Sequence, residues 1–155
     1  MSQNLNAQTI TPAARVGGAG RLDPDVLARA EAALKSLSSQ FSQWLNDEIV
    51  KLENARAAVQ HQGLMGDAGE ALYMRAHDLK GLGSTYEFPI ITRIAGSLCK
   101  LLDDVEKRGN APLYLVDAHI NAIKAAVRDD VRDDANPVGR ALAEVLEDQV
   151  QTHFG

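Results

Sequence analysis

The sequence predicts an all-α protein, an antiparallel four-helix bundle with an N-terminal accessory helix. Three observations carry that expectation. Apolar residues recur at three- and four-residue spacing in successive segments, no segment alternates with period two, and proline or glycine punctuates the pattern at short intervals. The composition agrees, with 45% hydrophobic residues among 155 but only three Phe, three Tyr and one Trp. A chain of this length fits one domain around one core.

Residues 1–20 are small and polar and end in Val16-Gly17-Gly18-Ala19-Gly20. They offer too little apolar surface to offset the entropy of ordering, so they read as a flexible tail, with residues 21–155 as the helical domain. Asp23-Pro24 is a cap residue followed by proline at the first helical position, and Val26, Leu27, Ala30, Leu34 and Leu37 then follow at helical spacing. The pattern runs on through Phe41, Trp44, Leu45, Ile49 and Leu52 to about Gln60. Ser36, Ser38, Ser39 and Ser42 interrupt it and leave open whether this is one helix or two.

Gly63 to Gly66 reads as a turn, and Asp67 with Glu70 three residues on as a capping box for the next helix. That helix should stop near Phe88-Pro89, because the residue before proline is pushed out of the helical region. Ile91, Ile94, Ala95, Leu98 and Val105 predict a helix from Ile90 to about Lys107, ending at Arg108-Gly109-Asn110. Pro112 opens another, striped by Leu113, Val116, Ile120, Ile123, Val127 and Val131. Asn136-Pro137 opens the last, with Val138, Leu142, Val145, Leu146 and Val150.

Charge and cysteine content restrict the function. A net charge of −5 without a Lys/Arg run argues against a nucleic-acid partner. One cysteine, Cys99, allows neither an intramolecular disulfide nor a cysteine-based metal cluster, and it reads as a small packing residue. No secretory signal and no membrane-length apolar run stand out, so the expected location is cytoplasmic, with no membrane partner.

The segment from Asp67 to Glu87 holds the chemistry. Stepping about 100° per residue puts Leu72, Arg75, Ala76, Leu82, Gly83 and Tyr86 within about 60° of Leu79, which defines a buried stripe. His77 falls about 160° away, with Glu70, Gly81, Ser84 and Phe88 beside it. Each interior glycine costs up to about 1 kcal/mol relative to Ala. Gly83 faces inward, where it admits a neighbouring helix. Gly81 faces outward one turn after His77, where with Ser84 it clears a platform beside the imidazole. Lys80, three residues after His77, stands close enough to set an ammonium near an anion carried there.

The run Ala76-His77-Asp78-Leu79-Lys80-Gly81-Leu82-Gly83-Ser84 resembles the signature of histidine-containing phosphotransfer (HPt) domains, approximately His-x-Leu-Lys-Gly followed by small residues. The likeness extends through Phe88-Pro89 and Leu98-Cys99-Lys100-Leu101-Leu102. One departure is Glu87, where many members carry glycine.

The resemblance implies a monomeric bundle in a multistep His-Asp phosphorelay. His77 would take a phosphoryl group from the aspartyl phosphate of one receiver domain and pass it to another. The partners are then receiver domains of response regulators and hybrid histidine kinases. Lys80 would offset phosphoryl charge, while Gly81, Ser84, Tyr73 and Met74 would form the docking face. No intrinsic cofactor is implied, and the Mg²⁺ for transfer would sit on the receiver. With no Gly-rich nucleotide loop in the sequence, autonomous kinase activity is not expected.

Three other readings compete. A non-catalytic adaptor would dock receivers without relaying phosphate. A metal-binding bundle would draw on His61, His77, His119 and nearby carboxylates, although no Glu-x-x-His pair is present. The dimerisation domain of a sensor kinase expects two helices per chain and an attached ATP-binding module. His61 and His153 fall near predicted helix ends, and His119 reads as a helix-surface or boundary residue. The run Arg128 to Asp134 reads as a solvated helical face with local ion pairs.

Overall fold

A computed structural model describes residues 23–155, which form six α-helices and, among the described residues, no strand. The expected tail, residues 1–20, lies outside the described residues. The helices are α1 (Pro24–Gln62), α2 (Asp67–Thr85), α3 (Pro89–Leu102), α4 (Val105–Asn110), α5 (Leu113–Arg128) and α6 (Pro137–Phe154). The chain divides into two compact units, one ending at Leu37 and the other running from Ser38 to Gly155.

In the first unit the described chain is the opening of α1. Asp23 caps it, its Oδ1 accepting the Asp25 amide at 2.9 Å, with Pro24 in the first turn as predicted. The serines do not break α1, which runs unbroken for 39 residues. Serine costs only a few tenths of a kcal/mol relative to the better helix formers, too little to stop a helix continued on both sides. The predicted stripe Val26, Leu27, Leu34 and Leu37 is exposed along its length.

The second unit contains the core. α3 buries nine of its fourteen residues, including Ile90, Ile91, Ile94, Leu98, Leu101 and Leu102, and is therefore the central helix. Leu45, Ile49, Leu52 and Val59 reach the core from α1, Leu72, Ala76 and Leu79 from α2, Val116, Ile120 and Ile123 from α5, and Leu146 and Val150 from α6. Arg56 of α1 binds Asn121 and Asp117 of α5, and Arg93 of α3 makes a two-pronged pair with Glu147 of α6 at 2.7 Å each.

Helix boundaries revise several expectations. Gly66, not Asp67, is the N-cap of α2, and no side chain caps it, so the predicted capping box does not form. α2 ends in a Schellman turn: the Phe88 amide donates to the Gly83 carbonyl at 2.7 Å, and the Glu87 amide to Ser84 at 3.1 Å. Glu87 sits at φ 68°, the left-handed position that favours glycine. Phe88 is thereby carried off the helix into the core, 1% exposed, instead of sharing the face of His77. The Arg132 guanidinium lies 4.6 Å from its ring centroid.

The predicted helix from Ile90 to Lys107 divides at Asp103-Asp104. Asp104 Oδ1 accepts the Lys107 amide at 2.8 Å and starts α4, so a local side-chain bond replaces helix continuation. α5 stops at Arg128, and the run to Asp134 is a loop, not a helical face. Val131 is buried there, and the Arg132 carbonyl accepts the Ile90 amide at 2.8 Å, satisfying a free donor at the start of α3. Asn136 caps α6 as predicted, accepting the Val138 amide at 2.8 Å.

Candidate functional site

Because Leu72, Ala76, Leu79 and Gly83 face the core, α2 turns its opposite side outward. Glu70, His77, Gly81 and Ser84 are exposed on it, as the wheel predicts, and Lys80 is exposed at its edge. Arg75, Leu82 and Tyr86 were expected in the buried stripe but are only partly buried. Arg75 lies at the stripe's edge, where its long stem packs and its charged end reaches water.

Gly83 and Gly81 have opposite surroundings. A Cβ at Gly83 would meet the backbone nitrogen and Oγ1 of Thr92, each at 2.6 Å, so α3 crosses α2 there without room for a side chain. At Gly81 nothing stands within 4 Å of such a Cβ. Packing within the chain therefore gives no reason for Gly81, and its cost in helix propensity leaves an open patch beside His77. Ser84 is exposed, and its hydroxyl donates to Thr92 Oγ1 at 3.1 Å.

His77 borders an open cavity of about 530 Å³, shared with Glu48 and Lys51 of α1 and with Arg75, Asp78, Gly81 and Leu82 of α2. Lys51 pairs with Glu48 at 2.8 Å and Arg75 with Asp78 at 3.6 Å, so two cations line the cavity already partnered by carboxylates. Glu48 and Lys51 also line an adjoining cavity with Trp44 and Tyr86. Phe41, Trp44 and Tyr86 pack with ring centroids 5.6 to 5.9 Å apart, making an aromatic shelf at this adjoining cavity.

Lys80 does not share the cavity of His77. It lines a second one of about 260 Å³ on the α3 side of α2, with Tyr73, Thr92, Arg93, Gly96 and Lys100. Lys80 and Lys100 make no ion pair among the described residues, whereas Arg93 is held by Glu147 and by Asp134 at 3.5 Å. Tyr73 connects the two sides. Its ring centroid is 6.1 Å from that of His77, and its hydroxyl donates to Asp103 at 3.4 Å. Desolvation first, and then the Asp103 carboxylate, raise the Tyr73 phenol above its ordinary range, keeping it protonated. Met74 is 49% exposed on the other flank.

The sequence-level reading missed Glu48, Lys51 and Trp44, because nothing in their local spacing says that α1 passes the histidine. It also misplaced His119, which is fully buried. His119 Nδ1 donates to the Leu115 carbonyl at 2.7 Å, leaving Nε2 to accept the Ser97 hydroxyl at 2.9 Å. Burial lowers its pKa, only partly opposed by the Leu115 bond. Cys99 is buried as expected, and its thiol is pushed up to about 11 by desolvation, well outside the nucleophilic range. Among the described residues no three His, Cys, Asp or Glu side chains converge to hold a metal ion, and no helix is long and apolar enough to cross a membrane.

Comparison with protein-family models, characterised proteins and solved structures gives no match to this chain.

Proposed function

We propose that this chain is a phosphorelay intermediate of the HPt type, which accepts a phosphoryl group on His77 from a receiver-domain aspartyl phosphate and passes it to another receiver. In this reading α2, α3, α5 and α6 form the antiparallel four-helix bundle and α1 is the accessory helix. The observation that carries the proposal is the pairing of an exposed His77 with an open Gly81 one turn on, a glycine that packing does not require.

In the forward step an imidazole nitrogen of His77 attacks phosphorus. The P–N bond forms as the P–O bond to the donor aspartate breaks, and the carboxylate leaves. Transfer of this kind depends on positioning and charge compensation more than on acid–base chemistry. Lys80, without a carboxylate partner among the described residues, would swing from the neighbouring cavity on the α3 side to offset phosphoryl charge. The open patch at Gly81 admits the receiver, the shelf of Trp44 and Tyr86 supplies apolar contact, and Tyr73 and Met74 flank the imidazole. Mg²⁺ belongs to the receiver, and cytoplasmic response regulators and hybrid kinases are the partners.

Incubation with a phosphorylated receiver domain and Mg²⁺ tests the reading. Acid-labile, base-stable phosphate should appear on this chain and then move to a second receiver. A chain that binds receivers but never becomes labelled would instead be the non-catalytic adaptor.

A further inference from the structure

The cavity of about 260 Å³ on the α3 side of α2 gathers Lys80, Arg93 and Lys100 with the carboxylates of Asp103 and Glu147. Both carboxylates are already engaged. Arg93 holds the two oxygens of Glu147 at 2.7 Å each, and Asp103 accepts the Tyr73 hydroxyl at 3.4 Å and faces the Lys107 ammonium at 3.7 Å. Lys80 and Lys100 are exposed and make no ion pair among the described residues, so the uncommitted charges of the cavity are both positive. Thr92 adds a neutral donor. Its Oγ1 accepts the Ser84 amide at 2.9 Å and the Ser84 hydroxyl at 3.1 Å, which leaves its own proton for another acceptor. Gly96 keeps the floor bare. A Cβ there would meet nothing closer than Lys80 Cδ at 3.9 Å, an ordinary contact, so packing does not require a glycine inside α3, where alanine would favour the helix.

We propose that this cavity binds a phosphate dianion, free or as a small phosphomonoester, between the ammonium groups of Lys80 and Lys100, with the Thr92 hydroxyl as a third donor. Lysine suits the task, because each ammonium is a point charge with three donors on a flexible stem and can close on a tetrahedral anion. The space suffices as well. At roughly 30 Å³ per water the cavity takes several waters, room for one such anion with part of its hydration shell. Glu147 and Asp103, held by their own donors, repel the anion less than free carboxylates would. The inference stands apart from the phosphorelay reading, since His77 does not line this cavity and the anion is bound by a chain whose imidazole is unmodified.

Titration of the full, unphosphorylated chain with sodium phosphate at constant ionic strength, followed by NMR of the lysine Cε–Hε groups and backbone amides, tests this. The Lys80 and Lys100 signals and the Gly96 amide should shift together and saturate, half-way at about millimolar phosphate. Lys100→Ala should weaken binding about tenfold, the loss of one charge-assisted hydrogen bond. Lys35→Ala removes the same charge from a residue that does not line the cavity, and it should bind as wild type. A parallel titration with glycerol phosphate separates the two sources, the tighter ligand being the occupant. Shifts that never saturate or that spread evenly over all lysines would overturn the proposal. So would saturation unchanged in Lys100→Ala, or weakened equally in Lys35→Ala, since the anion would then be reading diffuse surface charge.

Discussion

Gly83 of α2 packs directly against Thr92 of α3: a Cβ added to the glycine would stand 2.6 Å from the threonine's backbone nitrogen. Backbone cannot yield as a side-chain tip can. Gly83→Ala is therefore expected to cost about 2 kcal/mol, the usual range for overpacking, measured by urea denaturation.

Gly81 predicts the opposite. With nothing near its added Cβ, Gly81→Ala should raise stability by up to about 1 kcal/mol through helix propensity alone. Gly81→Leu should keep the fold while slowing phosphotransfer at least about tenfold, a barrier change of about 1.4 kcal/mol. Transfer at the wild-type rate by the leucine variant would show that the open patch has no part in docking.

Glu87 occupies a left-handed position at the end of α2. Glu87→Gly should stabilise the protein by about 0.5 to 1 kcal/mol, because glycine carries no Cβ penalty there. The lost contact with Arg132, 3.4 Å long and partly exposed, offsets little of this. An unchanged or lower thermal midpoint would contradict the Schellman account.

The buried pair of His119 and Ser97 sets a pH dependence. The folded-state pKa of His119 lies below its ordinary value of 6.5, so the unfolded chain takes up the proton first as pH falls. The contribution to stability is full above about pH 6.5 and is lost as pH falls through the depressed folded value, with a slope of at most about 1.4 kcal/mol per pH unit. His119→Gln should be less stable than wild type at about pH 8, and the gap should narrow in acid. Ser97→Ala, which strands Nε2, should cost about 1 to 3 kcal/mol. A gap that stays constant with pH would exclude His119 as the titrating group.

The parts of the fold legible in the sequence are those set by periodicity and local capping. Leu72, Ala76 and Leu79 repeat at helical spacing, which suffices to turn His77 outward, and Asp23 and Asn136 announce the helices they cap. Phe88 defeated the wheel because a Schellman turn takes it off the helix on which it was being counted. His119 looked like a surface residue because its partner, Ser97, is on another helix, and only tertiary packing makes a buried imidazole acceptable. Lys51 and Trp44 come to the site from α1, a placement that depends on how two helices cross. The stripe from Val26 to Leu37 has a clear period, but period alone does not tell what an apolar face meets.

The central claim is that His77 carries phosphate. Intact-mass spectrometry at neutral pH, after incubation with a phosphorylated receiver domain and Mg²⁺, measures it most directly, with fragmentation to locate the group. The expected result is the added mass of one phosphoryl group, confined to His77 and missing in His77→Gln. An unmodified wild-type chain with several receivers, or equal modification of His77→Gln, would contradict the account.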